Sequence, residues 1–149
     1  TEDFLGAFTE EFTMTNFELT DVYMLFDDDI SDIYDEMKTE IEEGGQPKQR
    51  TKAKVIGMIQ KNHKDIGYVV YGKVYLGQKE IDQSTGNIKI TAQVNGEVWN
   101  ITDRRPKLVS SVSPAVFAGL GSTLDVARTN ALKQSSENSS KTIINILSN

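Results

Sequence analysis

The Gly44-Gly45 pair followed by Pro47 is the feature that most restricts how this chain can fold. Two residues that weaken a helix and one that cannot continue it form a strong stop. Just before the stop, Phe26, Ile30, Ile33, Met37 and Ile41 step by four, three, four and four residues. That spacing predicts one apolar helical stripe, on a helix running from about Thr20 or Asp29 to Glu43. Asp27 to Asp29 and Asp32 fall near its start, where acids suit the helix dipole.

The same stop divides the charge. Residues 1–47 hold fifteen acids against Lys38 alone, a net of −14; residues 48–149 hold fifteen bases against seven acids, a net of +8. Together they give the overall −6. Such a division either matches two faces of one domain or marks a surface that receives a partner of opposite sign. The residues expected to form such a protein-binding surface are Asp32, Asp35 and Glu36 on the acidic side and Lys48, Arg50, Lys52 and Lys54 on the basic side.

Beyond Pro47 the pattern reads as β structure. Lys52 to Gln60 is expected as a strand, Lys61 to Asp65 as a turn and Ile66 to Leu76 as a second strand. Tyr68, Val70, Val74 and Leu76 would then share one face, and Val69, Tyr71, Lys73 and Tyr75 the other. Gln83-Ser84-Thr85-Gly86 is a turn signal. Ile88, Ile90, Ala92 and Val94 alternate with polar residues as a half-buried strand does. Asn95-Gly96 predicts a tight turn into Glu97–Thr102. Lys107 to Ala118 is expected to be extended, with Pro114 confining it to an edge or a bend. At the N-terminus, Glu11 to Leu19 alternates loosely as a strand would, and residues 1–19 are expected as an extended or mobile arm.

The last element is a long helix to about Leu147, capped by Ser122 with Asp125 three residues on. Leu124, Ala127, Ala131, Leu132, Ser135, Ile143, Ile146 and Leu147 mark its inner side. Ala127, Ala131, Ser135 and Ser139 recur every four residues, so that this helix can lie close to a sheet. The polar stretch Gln134 to Lys141 predicts a kink or fraying there. The length suits one domain, and the elements sum to an α+β two-layer sandwich. Its mainly antiparallel sheet of four to five strands would be packed by an acidic N-terminal helix and a long C-terminal one.

No catalytic set is legible. His63 is the only histidine and lies in a charged turn, and without cysteine the chain lacks thiolate ligands, thiol nucleophiles and disulfides. Neither a metal nor a cofactor is expected. The Asp27–Asp32 run lacks the spacing of a calcium loop. Gly119-Leu120-Gly121-Ser122 lacks a P-loop lysine and reads as a turn before a helix cap. Twenty-two acids give no means of selecting a hydrolytic pair, which leaves a carboxylate hydrolase as a minor alternative. A second alternative is a small-molecule or nucleic-acid module using Tyr71, Lys73 and Tyr75, although the overall acidity disfavours nucleic acid. No apolar run approaches the roughly 20 residues of a membrane span. The chain begins at Thr1, as a processed chain or an excised domain would.

The strand Tyr68-Val69-Val70-Tyr71-Gly72-Lys73-Val74 is followed by the turn Ser84-Thr85-Gly86. Later Gly119-Leu120-Gly121-Ser122 leads into Ala127-Arg128-Thr129-Asn130-Ala131-Leu132. Over residues 66–149 this order resembles small α/β domains of bacterial envelope proteins: the curli-secretion lipoprotein, the N-terminal domain of TolB and the flagellar assembly protein T. The resemblance implies an envelope scaffold that binds other proteins or itself, in the periplasm or cell envelope or, alternatively, in secreted form. It transfers no site residue.

Overall fold

The computed structural model describes residues 2–13 and 28–148. The fold is an α+β sandwich in which helices pack on an antiparallel sheet. In chain order the elements are α1 (Glu2–Thr13), α2 (Asp28–Gly44), α3 (Gln49–Asn62), β1 (Tyr68–Leu76), β2 (Glu80–Ile81), β3 (Ile88–Asn100), β4 (Lys107–Gly121) and α4 (Leu124–Ser148). Strand β3 pairs with β1, β2 and β4. The β2–β3 ladder is antiparallel, with Glu80 opposite Lys89 and Ile81 opposite Ile88. The chain forms two compact units, one of residues 1–19, 74–95 and 112–149 and the other of residues 20–73 and 96–111.

In the first unit α4 lies on the sheet. Ala127 and Ala131 are fully buried against Ile90 and Ala92, with Ile88 and Leu124 at the margin. Gly119 of β4 is part of this contact, because a β-carbon there would overlap the Ala131 amide and the Ala127 carbonyl. Gly119 and Gly121 are therefore strand residues under a helix, not the turn expected from Gly119-Leu120-Gly121. The cap also shifts by one position: Thr123, rather than Ser122, accepts the Val126 N–H at 3.2 Å.

Helix α4 runs unbroken through Gln134–Lys141, where a kink or fraying was expected. Ser135, Ser136, Ser139 and Ser140 are buried, and all but Ser139, whose hydroxyl has no partner among the described residues, donate to carbonyls within the chain. Ser135 reaches Leu132 O at 3.0 Å, Ser140 reaches Ser136 O at 2.8 Å and Ser136 reaches Phe4 O of α1. Hydroxyls satisfied in this way are tolerated inside a helix. Helix α1 packs along α4, its Phe4, Phe8 and Phe12 rings stacked at 6.0 and 5.2 Å between successive centroids. The strand expected to begin at Glu11 is helical to Thr13, and residues 14–19 lie outside the described residues. A four-residue aromatic stripe that can bury on α4 outweighs the loose alternation that suggested an extended arm.

The Ser84–Gly86 turn forms as expected. Asp82 Oδ2 accepts from the Ser84 hydroxyl at 2.9 Å, the Thr85 hydroxyl at 2.6 Å and the Thr85 N–H at 3.1 Å. Gly86 takes a φ of 74°, which its lack of a side chain permits. The expected extended segment from Lys107 is β4, and among the described residues it pairs on one side only, with β3, where Pro114 is tolerated.

In the second unit Met37 of α2 packs with Val55, Ile56 and Ile59 of α3, Val69 of β1 and Ile101. Ile33 and Ile41 join this core, as the α2 stripe predicted. Phe26 lies outside the described residues, as does the expected start of the helix before Asp28. The stop after Glu43 is realised: Gly45 has a φ of 81° and its N–H returns to Ile41 O at 2.8 Å.

Two expectations fail in this unit. Lys52 to Gln60 is helix α3, not a strand. Thr51, Lys52, Val55, Ile56 and Ile59 bury one helical face, and the intervening residues Ala53, Lys54, Met58 and Gln60 are good helix formers. Asn95-Gly96 makes no turn, and β3 runs through it. Gly96 has no positive φ, and a β-carbon on it would come within 2.9 Å of Tyr71 O, so this glycine serves the close approach of β1 and β3.

Candidate functional site

Helices α2 and α3 pack together, and both present charged outer faces. On α2, Asp32, Asp35, Glu36, Thr39, Glu42 and Glu43 are exposed. On α3 and its N-cap, Lys48, Arg50, Lys54 and Lys61 are exposed, with Ala53 and Gly57 between them. Among the described residues, the side chains of Asp32, Glu36, Glu43, Arg50, Lys54 and Lys61 take part in no hydrogen bond or ion pair.

Helix dipoles favour Asp32 near the start of α2 and Lys61 in the last turn of α3, but not the charges where the two helices join. Glu42 and Glu43 close α2 with no base in its last turn, and Arg50 opens α3 with no acid in its first. Both place charge against their own helix dipole. One acid from α2 compensates. Glu40 accepts the Lys48 N–H at 3.1 Å and the Thr51 hydroxyl at 2.9 Å, which brings a carboxylate to the start of α3. It also anchors the short α2–α3 connection.

Lys52 does not belong with the exposed bases. It is only 8% exposed, and its ammonium lies 3.8 Å from the centroid of the Trp99 ring. Lysine stems bury readily, and an indole face attracts the cation. The helical phase of α3 turns Lys52 inward while Arg50 and Lys54 point out, a distinction that the strand reading of Lys52–Gln60 obscured.

Trp99 belongs to a polar cluster. Its indole N–H donates to Glu97 Oε2 at 2.9 Å and to the Tyr71 hydroxyl at 3.1 Å, and Tyr71 in turn donates to Glu97. Burial first, and then the Glu97 carboxylate that accepts its proton, hold the Tyr71 hydroxyl well above the ordinary tyrosine range. Lys73 donates to the Glu42 carbonyl near the C-terminus of α2, where carbonyls lack partners within the helix. Tyr71 thus fastens β1 to β3 and Lys73 fastens it to α2, so the polar groups of this face are occupied by protein. Tyr75 is half-buried in the other unit.

His63 caps the C-terminus of α3, its backbone N–H returning to Ile59 O at 2.8 Å. Among the described residues no three His, Asp or Glu side chains gather to hold a metal ion, and no helix is long and apolar enough to cross a membrane. The side chains of Asp27 to Asp29 lie outside the described residues.

Glu43, Gly57 and Lys61 also belong to this surface and are not among the residues expected from charge. Their signal was helical spacing: Glu43 lies seven residues from Glu36, and Gly57 and Lys61 lie three and seven from Lys54, the latter two visible only once residues 49–62 are read as a helix. Comparison with known proteins gives no matching family model, no matching curated protein and no matching solved structure.

Proposed function

We propose that the chain is a non-enzymatic interaction or scaffold domain of a bacterial cell-envelope or secreted assembly. One observation carries this reading. Two neighbouring helices of one unit expose faces of opposite sign whose six principal charges take no part in ion pairs among the described residues. Charges that oppose their own helix dipoles reduce stability, and an external partner supplies a reason to keep them.

The envelope setting rests on the resemblance over residues 66–149. It is carried by the order of short segments in the sequence, among them Ser84–Gly86, which forms a turn, and Ala127–Leu132, which lies in a helix. A resemblance of this kind transfers no site. Fractionation of cells that make the protein tests the setting. The chain is expected in the envelope fraction or the medium, eluting above monomer size under native conditions. Recovery as a cytosolic monomer would contradict the proposal.

A further inference from the structure

We infer that the partner of these faces is a second copy of the chain, with the outer face of α2 seated on the outer face of α3. The inference rests on the interaction reading above and names its partner. On α2 the exposed residues Asp32, Glu36, Thr39 and Glu43 step by four, three and four positions. On α3 the exposed residues Arg50, Lys54, Gly57 and Lys61 step by four, three and four as well. At 3.6 residues per turn each set lies along one side of its helix, with successive rises of about 6, 4.5 and 6 Å. Laid side by side and parallel, the two sets meet in register. Asp32 faces Arg50, Glu36 faces Lys54, Glu43 faces Lys61, and the short Thr39 faces Gly57.

Gly57 supplies an independent reason to expect a close neighbour. It is exposed in the middle of α3, its φ is not positive, and a β-carbon on it would meet nothing within 4 Å. Nothing in the described structure requires glycine there, although glycine weakens a helix. A bare position on a helix surface does let another backbone approach. With Ala53 beside it and cations on both sides, it forms a small seat rimmed by positive charge. The α2 and α3 of one chain do not make this contact, because their own packing uses Met37, Val55, Ile56 and Ile59. Exchange of both faces between two copies closes a dimer, and one-way use of them makes a ring or filament.

Light scattering on the full chain and two charge-swapped variants tests the inference. One variant carries Asp32→Lys, Glu36→Lys and Glu43→Lys; the other carries Arg50→Glu, Lys54→Glu and Lys61→Glu. At low salt the unmodified chain is expected to have the mass of two or more copies and to fall to monomer as salt screens the pairs. Each variant alone is expected to be monomeric, because its two faces then share one sign. An equimolar mixture of the two is expected to regain the assembled mass. Gly57→Leu projects into open space, so the fold remains while association weakens about ten-fold or more. A monomeric unmodified chain at low salt would overturn the inference. So would a mixture that stays monomeric while the unmodified chain assembles. Either result leaves the broader reading in place, since that reading fails only if the chain contacts no protein at all through these faces.

Discussion

The ammonium of Lys52 lies over the indole of Trp99, 3.8 Å from the ring centroid, on the inner side of a helix whose other bases face solvent. Lys52 is therefore a core residue with a charged tip. Lys52→Met keeps the stem and removes the cation. It is expected to cost no more than about 2 kcal/mol in urea unfolding and to leave solution mass unchanged. A change in mass as large as that caused by Arg50→Glu or Lys54→Glu would place Lys52 in the interface after all.

The Tyr71 hydroxyl gives an alkaline signature. Its folded pKa lies above the unfolded value of 10.0, because burial and the Glu97 carboxylate both favour the protonated form. A group with a raised folded pKa contributes stability that is complete below its unfolded pKa and declines as pH rises above it. Urea midpoints from pH 8 to 11 should therefore fall less steeply for Tyr71→Phe than for the unmodified chain. Parallel curves would show that Tyr71 ionises alike in both states.

The Asp82 turn gives the opposite sign. Hydrogen bonds from Thr85 first, and then from Ser84, hold its folded pKa below the ordinary value of 3.8. Its contribution is present above that value and is lost as pH falls through the lower folded pKa. Asp82→Ala should lower the urea midpoint at neutral pH, and the difference from the unmodified chain should shrink on acidification. A difference that persists undiminished at low pH would place the effect in the backbone of the turn rather than in the carboxylate.

Two glycines should respond in opposite directions to one added methyl group. At Gly119 the methyl would overlap the backbone of α4, and Gly119→Ala is expected to cost about 3 kcal/mol or more. At Gly57 the methyl enters open space, and Gly57→Ala should stabilise the chain by about 1 kcal/mol. Thermal and urea unfolding read both, and destabilisation by Gly57→Ala would contradict the open environment described for that position.

Much of this fold was legible in the residues. The four-residue recurrence of Ile33, Met37 and Ile41, and that of Ala127, Ala131, Ser135 and Ser139, identified the buried sides of α2 and α4. Misreadings arose where two physical uses share one sequence pattern. Val55-Ile56-Gly57-Met58-Ile59 is β-branched enough for a strand, and the choice of helix rests on burial of one side against Met37 and Val69. Asn95-Gly96 suits a turn, but glycine also suits two strands in close approach, and Tyr71 O decides between them. Asp32 and Glu36 were legible from charge, whereas Glu43 was not. The basic half was blurred, because only the helical phase separates buried Lys52 from exposed Arg50 and Lys54.

On the proposed function, the outer faces of α2 and α3 contact protein in the cell. A photo-activated cross-linking side chain placed at Thr39 or Ala53, both exposed on those faces, tests it directly, with Ser84 in the Asp82 turn as the control position. Discrete protein adducts from Thr39 and Ala53, and none from Ser84, are the predicted result. Silence at both helix positions, or equal labelling at Ser84, would contradict the claim.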